Sequence, residues 1–160
     1  MDWIIEFDIC ALLITSLLLW VIHRRKDLPS MRNYTFRILL TLTLVAAIFD
    51  LASIYAIEHV TEIPLWLNYF IQLMYSIPFT AIPMVYYLYV ISLTIQNRII
   101  TKSRIALIVV PYAIELLFIL TTPFTHWHIH FNDSLQYCHG WAVYDTYALS
   151  FFYILLCFID

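Results

Sequence analysis

Glycine is nearly absent from this 160-residue chain, which has one, Gly140. That scarcity argues against a Gly-rich nucleotide loop, against a small-residue helix-packing code of the GxxxG kind and against an open β architecture. Charge is scarce as well. Only 12% of residues are Asp, Glu, Lys or Arg, against about a quarter in an ordinary soluble domain. Cysteine is limited to Cys10, Cys138 and Cys157, with no CxxC pair, so there is neither a disulfide framework nor a zinc ribbon. A bridge between Cys10 and Cys138 is conceivable, but small buried hydrophobes are the better reading. GxSxG, HExxH and phosphate-loop patterns are also lacking, and no enzymatic activity or cofactor is expected in this segment.

What is present is apolar and aromatic: 63% hydrophobic residues, 18% aromatic, and a mean hydropathy of +0.84. That balance belongs to membrane proteins. The N-terminus is not a secretory signal. It opens Met1-Asp2-Trp3-Ile4-Ile5-Glu6-Phe7-Asp8, acidic where a signal is basic, and its cationic cluster comes after the apolar run.

A helix crosses the hydrocarbon core with about 20 residues at ~1.5 Å each. Five such spans are expected, at about 5–22, 38–57, 65–95, 105–120 and 141–159, forming an all-α polytopic bundle in a single membrane domain. Pro78 and Pro83 fall inside the third span and should bend it without ending it. Thr121-Thr122-Pro123 should close the fourth. The fourth loop, with Trp127-His128-Ile129-His130-Phe131, the turn signal Asn132-Asp133-Ser134 and Leu135-Gln136-Tyr137, suggests a short outer hairpin.

Orientation is read from the eight basic residues. Arg24, Arg25, Lys26, Arg32 and Arg37 occupy the first loop, and Arg98, Lys102 and Arg104 the third. Both loops lie on one side only if 65–95 is a single span, and the positive-inside rule then puts the N-terminus outside a cell membrane. Trp3, Trp20, Trp66, Trp127 and Trp141 sit near predicted boundaries, as interfacial aromatics do. The cationic loops are too sparse for nucleic acid, and their partner is the lipid bilayer. The fifth span reaches Asp160 without a basic anchor, so the sequence is expected to be an N-terminal fragment of a longer protein.

Ionisable groups inside a membrane are costly and therefore informative. Asp50 and Glu115 lie at similar depths in spans two and four. Asn68, Gln72 and Ser76 form an i, i+4, i+8 stripe on span three. Asp145, between Tyr144 and Tyr147, enters span five. This polar content converges on the outer half of the bundle. It reads either as interhelical hydrogen-bond glue or as a pocket for a small polar or cationic ligand built from Asp50, Asn68, Gln72, Glu115 and Asp145. His126, His128 and His130 alternate and would share a face of a strand. They are weak candidates for metal or for sensing pH, because a spacing of two matches no closed zinc pattern.

The layout resembles the N-terminal seven-helix membrane module of bacterial signalling proteins, which precedes histidine kinase or GGDEF (diguanylate cyclase) domains. The resemblance is carried by the basic loop His23-Arg24-Arg25-Lys26-Asp27-Leu28-Pro29 with Arg32 and Phe36-Arg37, and by the late acid in Ile48-Phe49-Asp50. It is carried also by the long uncharged third span from Pro64-Leu65-Trp66-Leu67-Asn68-Tyr69. Further marks are Pro111, then Leu120-Thr121-Thr122-Pro123 leading to His126, and Tyr137 and Gly140 ahead of Tyr144 and Tyr147. Thr122 stands where the family tends to have asparagine. The resemblance implies two further helices, a cytoplasmic output domain and dimerisation through the full-length protein, with this chain as the sensory input region, most readily of a diguanylate cyclase. The alternative expectation is a small proton- or cation-coupled transporter or channel subunit.

Overall fold

The computed structural model describes residues 2–24, 30–94, 102–132 and 135–159. Arg25, Lys26, Asp27, Leu28 and Pro29 of the first basic loop, Arg98 of the third, and Asp133-Ser134 of the expected turn lie outside the described residues. In chain order the elements are α1 (Asp2–Arg24), α2 (Met31–Glu58), α3 (Leu65–Thr94), α4 (Lys102–Thr125), β1 (Ile129–Phe131), β2 (Tyr137–His139) and α5 (Ala142–Ile159). Each of the five helices is long and apolar enough to cross a membrane, the pattern of a multi-pass membrane protein.

Three helices, α1, α2 and α4, outrun the spans expected for them. α2 begins at Met31, because Ser30, in extended backbone, caps it by accepting from the Asn33 N–H at 3.2 Å. α4 runs past Thr121-Thr122-Pro123 to Thr125. A proline removes one amide from the ladder, and here that loss falls in the final turn, where it does not end the helix. α3 is one 30-residue helix through both Pro78 and Pro83, as the charge distribution required.

The threonines show how a polar side chain is carried in an apolar helix. Thr15, Thr35, Thr43, Thr80 and Thr122 donate to the carbonyls of Ala11, Met31, Leu39, Ser76 and Phe118, each four residues back. Their hydroxyls are satisfied without a neighbouring helix.

α3 is the central element, packed against α2, α4 and α5, while α1 lies on α2. Large side chains such as Leu13, Leu17, Leu107, Leu117 and Phe158 remain exposed, as expected where lipid is the solvent. The buried apolar cluster of Tyr87, Ile91, Ile108 and Tyr153 joins α3, α4 and α5. Within it, Tyr153 donates to the Ile108 carbonyl at 2.6 Å and its ring centroid lies 6.3 Å from that of Tyr87.

At the opposite end of these helices sits the hairpin. β1 and β2 pair antiparallel with Ile129 opposite His139, His130 opposite Cys138 and Phe131 opposite Tyr137. Asn132 closes it twice, its N–H donating to the Gln136 carbonyl and its Oδ1 accepting from the Gln136 N–H. The sole glycine has a steric reason here. The Gly140 N–H donates to the His128 carbonyl at 2.8 Å, and a Cβ at this position would lie 1.9 Å from the Trp127 carbonyl oxygen. Phe118, Trp127 and Trp141 cluster beneath, with ring centroids 5.6–5.9 Å apart. The three cysteines are free thiols.

Candidate functional site

Near the hairpin, the buried carboxylate of Glu115 on α4 accepts a hydrogen bond from the Thr146 hydroxyl on α5, and that hydroxyl lies 3.2 Å from His128 Nε2. Glu115 is 3% exposed, and Thr146 and His128 are buried. A hydroxyl has one proton, here directed at Glu115, so the His128 contact is made by Nε2–H donating to Thr146 Oγ1. The result is a directed chain from imidazole to hydroxyl to carboxylate. His128 Nε2 is 3.9 Å from Glu115 Oε1, which is close enough for charge attraction. Burial nevertheless decides its state: it pushes the imidazole below its ordinary value, with His139 adding to the shift, and His128 stays neutral at neutral pH.

Against this chain lies a cavity of about 120 Å³. α3 supplies Tyr75, Ser76 and Thr80, the hairpin region supplies His128 and Tyr137, and α5 supplies Thr146. Phe79 and Tyr147 add to its aromatic wall, and His139 and Val143 line it as well. The Tyr137 phenol is pushed up to about 12 by burial and then by Tyr147, so it remains neutral. A second, open groove of about 440 Å³ runs between α4 and α5 and is walled by Pro111, Ile114, Phe118, Leu149 and Phe152, with Glu115 and Asp145 as its acids.

The residues singled out from the sequence divide among these features. Glu115 supports the cavity through Thr146 and reaches the groove on its other side. Asp50, on α2, is within electrostatic reach of Tyr75 in the cavity wall. Asp8 of α1 is in turn within reach of Asp50, a pairing of acids that sequence spacing did not suggest. Asp145 is exposed and belongs to the groove. The polar stripe of α3 splits: Ser76 lines the cavity, whereas Gln72 donates to Ser53 Oγ of α2 at 2.7 Å. Asn68 is 0% exposed, and neither atom of its amide has a hydrogen-bond partner among the described residues.

The histidines do not act as one face. His126 adopts a left-handed conformation (φ 57°) ahead of the strand, with Nδ1 3.4 Å from the Tyr69 hydroxyl. Its ring centroid is 6.4 Å from that of His130, while His128 turns inward to Thr146. Among the described residues no group of three or more His, Cys, Asp or Glu side chains is placed to hold a metal ion.

Sequence reasoning missed Thr146 and Tyr75, and noted Tyr137 and Tyr147 without giving them a place in the site. Thr146 lies one residue after Asp145, and a threonine in an apolar span gives no signal of its own. Tyr75 blends into a chain with twelve tyrosines. Comparison with known proteins finds no matching family profile, no similar curated protein and no similar solved structure.

Proposed function

We propose that the chain is the membrane-embedded input region of a bacterial signal-transduction protein, of the kind that controls a diguanylate cyclase or a histidine kinase. In this reading the hairpin end faces outward and the cavity beneath it admits a small solute. The observation that carries the proposal is the buried Glu115–Thr146–His128 chain beside that cavity. Three polar groups from two helices and the hairpin are costly to assemble in an apolar bundle, and such groups mark functional pathways in membranes. Loops one and three, which hold all eight basic residues, support the orientation.

The helices that line the cavity also build the apolar cluster toward their other ends. α3 offers Thr80 to the cavity and Tyr87 to the cluster, and α5 offers Thr146 and Tyr153. A solute that binds one packing of α3 against α5 better than another shifts the balance between the two by its differential affinity. The change is then felt at the ends of α3 and α5 remote from the hairpin.

A second reading, proton- or cation-coupled transport, draws on one feature: Glu115 faces the α4–α5 groove while bonded through Thr146 toward the cavity. One experiment separates the two. With spin labels at Thr94 and Ile159 in nanodiscs, a panel of cationic, neutral and anionic solutes should include one class that changes the interlabel distance. Proteoliposomes should show no uptake of that class. Uptake driven by a pH gradient would replace the input reading, and a distance indifferent to every class would end it.

A further inference from the structure

We infer that the occupant of the cavity is a small organic ammonium ion. The inference rests on the input reading above and names the ligand class of the same site.

Size comes first. A cavity of about 120 Å³ has room for several waters and so for a small organic solute. The walls come second. Four aromatic side chains line the space, Tyr75, Phe79, Tyr137 and Tyr147, and the Tyr75 and Phe79 rings lie 5.4 Å apart. Ring faces carry negative potential and attract a cation, and aromatic cages are the usual recognition device for alkylated ammonium groups.

Charge comes third. Among the described residues no Lys or Arg lines the cavity, and all eight basic residues of the chain lie at 24–37 and 98–104. An acid stands behind one wall, Glu115 behind Thr146, and Asp50 is within electrostatic reach of Tyr75. With these acids ionised the field of such a space favours positive charge, and an anion would find no lysine or arginine among the described lining residues. Among the titratable lining groups His128 is neutral at neutral pH through burial and Tyr137 through its raised phenol, and His139 also lines the space.

No carboxylate is among the described lining residues, and Glu115 meets the space only through the Thr146 hydroxyl. Hard inorganic cations need oxygen ligands in direct contact to replace their water. A weakly hydrated alkylammonium needs only ring faces and a negative field. The same geometry that disfavours a metal therefore suits an organic cation.

The test uses the intact chain in nanodiscs, with thermal unfolding followed by tryptophan fluorescence. The probes are tetramethylammonium chloride, sodium chloride at equal ionic strength, tert-butanol as a neutral body of the same size, and sodium acetate. Tetramethylammonium should raise the melting temperature in a saturable way, and the other three should not. Tyr147 is 61% exposed, so its replacement leaves the core intact. Tyr147→Phe should keep the affinity, whereas Tyr147→Leu, which retains apolar bulk without a ring face, should weaken it roughly tenfold. Glu115→Gln should weaken it in the same direction. If tert-butanol or acetate protects and tetramethylammonium does not, the ammonium assignment falls while the input reading stands. Equal affinity in Tyr147→Leu and Phe79→Leu would place the cation elsewhere and overturn the assignment. Protection by none of the probes overturns it as well, and the wider solute panel then decides the input reading separately.

Discussion

Gln72 donates from Nε2 to Ser53 Oγ at 2.7 Å, both residues buried where α3 packs on α2. Hydrogen bonds between helices in a membrane average about 0.6 kcal/mol in double-mutant cycles, because the separated helices find other partners. A cycle of Gln72→Leu and Ser53→Ala, read by unfolding in mixed micelles, should give a coupling of that order. A coupling near zero would mean that the pair is packed together without being bonded.

Asn68, one turn before Gln72, is the opposite case. Its amide is buried and unpartnered among the described residues, and a buried polar group left unmade costs roughly 1–3 kcal/mol. Asn68→Leu should stabilise the bundle by about 1 kcal/mol in the same unfolding assay. A comparable loss of stability would show that the amide has a partner in the native membrane.

Tyr153 ties α5 to α4 through the Ile108 carbonyl inside the buried apolar cluster. Tyr153→Phe removes one hydroxyl and leaves the ring in place, which should cost about 1 kcal/mol. Tyr153→Ala should cost about 3–5 kcal/mol, because it also opens a cavity beside Tyr87 and Ile91. Chemical denaturation of the two variants side by side checks the difference.

Gly140→Ala should spring the hairpin. Its Cβ would collide with the Trp127 carbonyl, a backbone atom that cannot rotate away, and overpacking of this kind costs roughly 1–3 kcal/mol. Amide exchange should accelerate at the substituted position and at Ala142, whose N–H donates to Trp127. Unchanged exchange at both would show that the loop yields without cost.

The buried His128 predicts a pH dependence of definite sign. Its folded-state value lies below the ordinary 6.5, so the unfolded chain binds the proton more readily. Stability is then complete above about pH 6.5 and declines as pH falls below it toward the folded-state value. Melting temperatures at pH 7.5 and 5.5 should show this fall, and His128→Gln should flatten it. If acidification instead stabilised the wild type relative to His128→Gln, the 3.9 Å contact with Glu115 would be an ion pair.

The five helices were legible because length and hydropathy alone select a transmembrane helix, and the hairpin because alternation and turn residues announced it. Pro123 misled, since a proline in the last turn costs little and a helix can run on for two residues beyond it. The polar stripe Asn68-Gln72-Ser76 was visible as a periodicity, but its division among an α2 bond, an orphan amide and a cavity wall depends on which helix lies opposite. Periodicity carries no such information. Glu115 stood out as a charge in an apolar run, while Thr146, which connects it to His128, is chemically indistinguishable in sequence from the threonines that bond to their own backbone.

Those self-bonded threonines have a consequence for how this chain can vary. Thr15, Thr43 and Thr122 commit their hydroxyls inside their own helices, so each can become alanine or valine without stranding a partner elsewhere. Thr146 cannot, because two elements beyond its own depend on it. Sequence drift is thus free at most hydroxyl positions and halted at a few, and a deep mutational scan would separate the two kinds of threonine without reference to any structure.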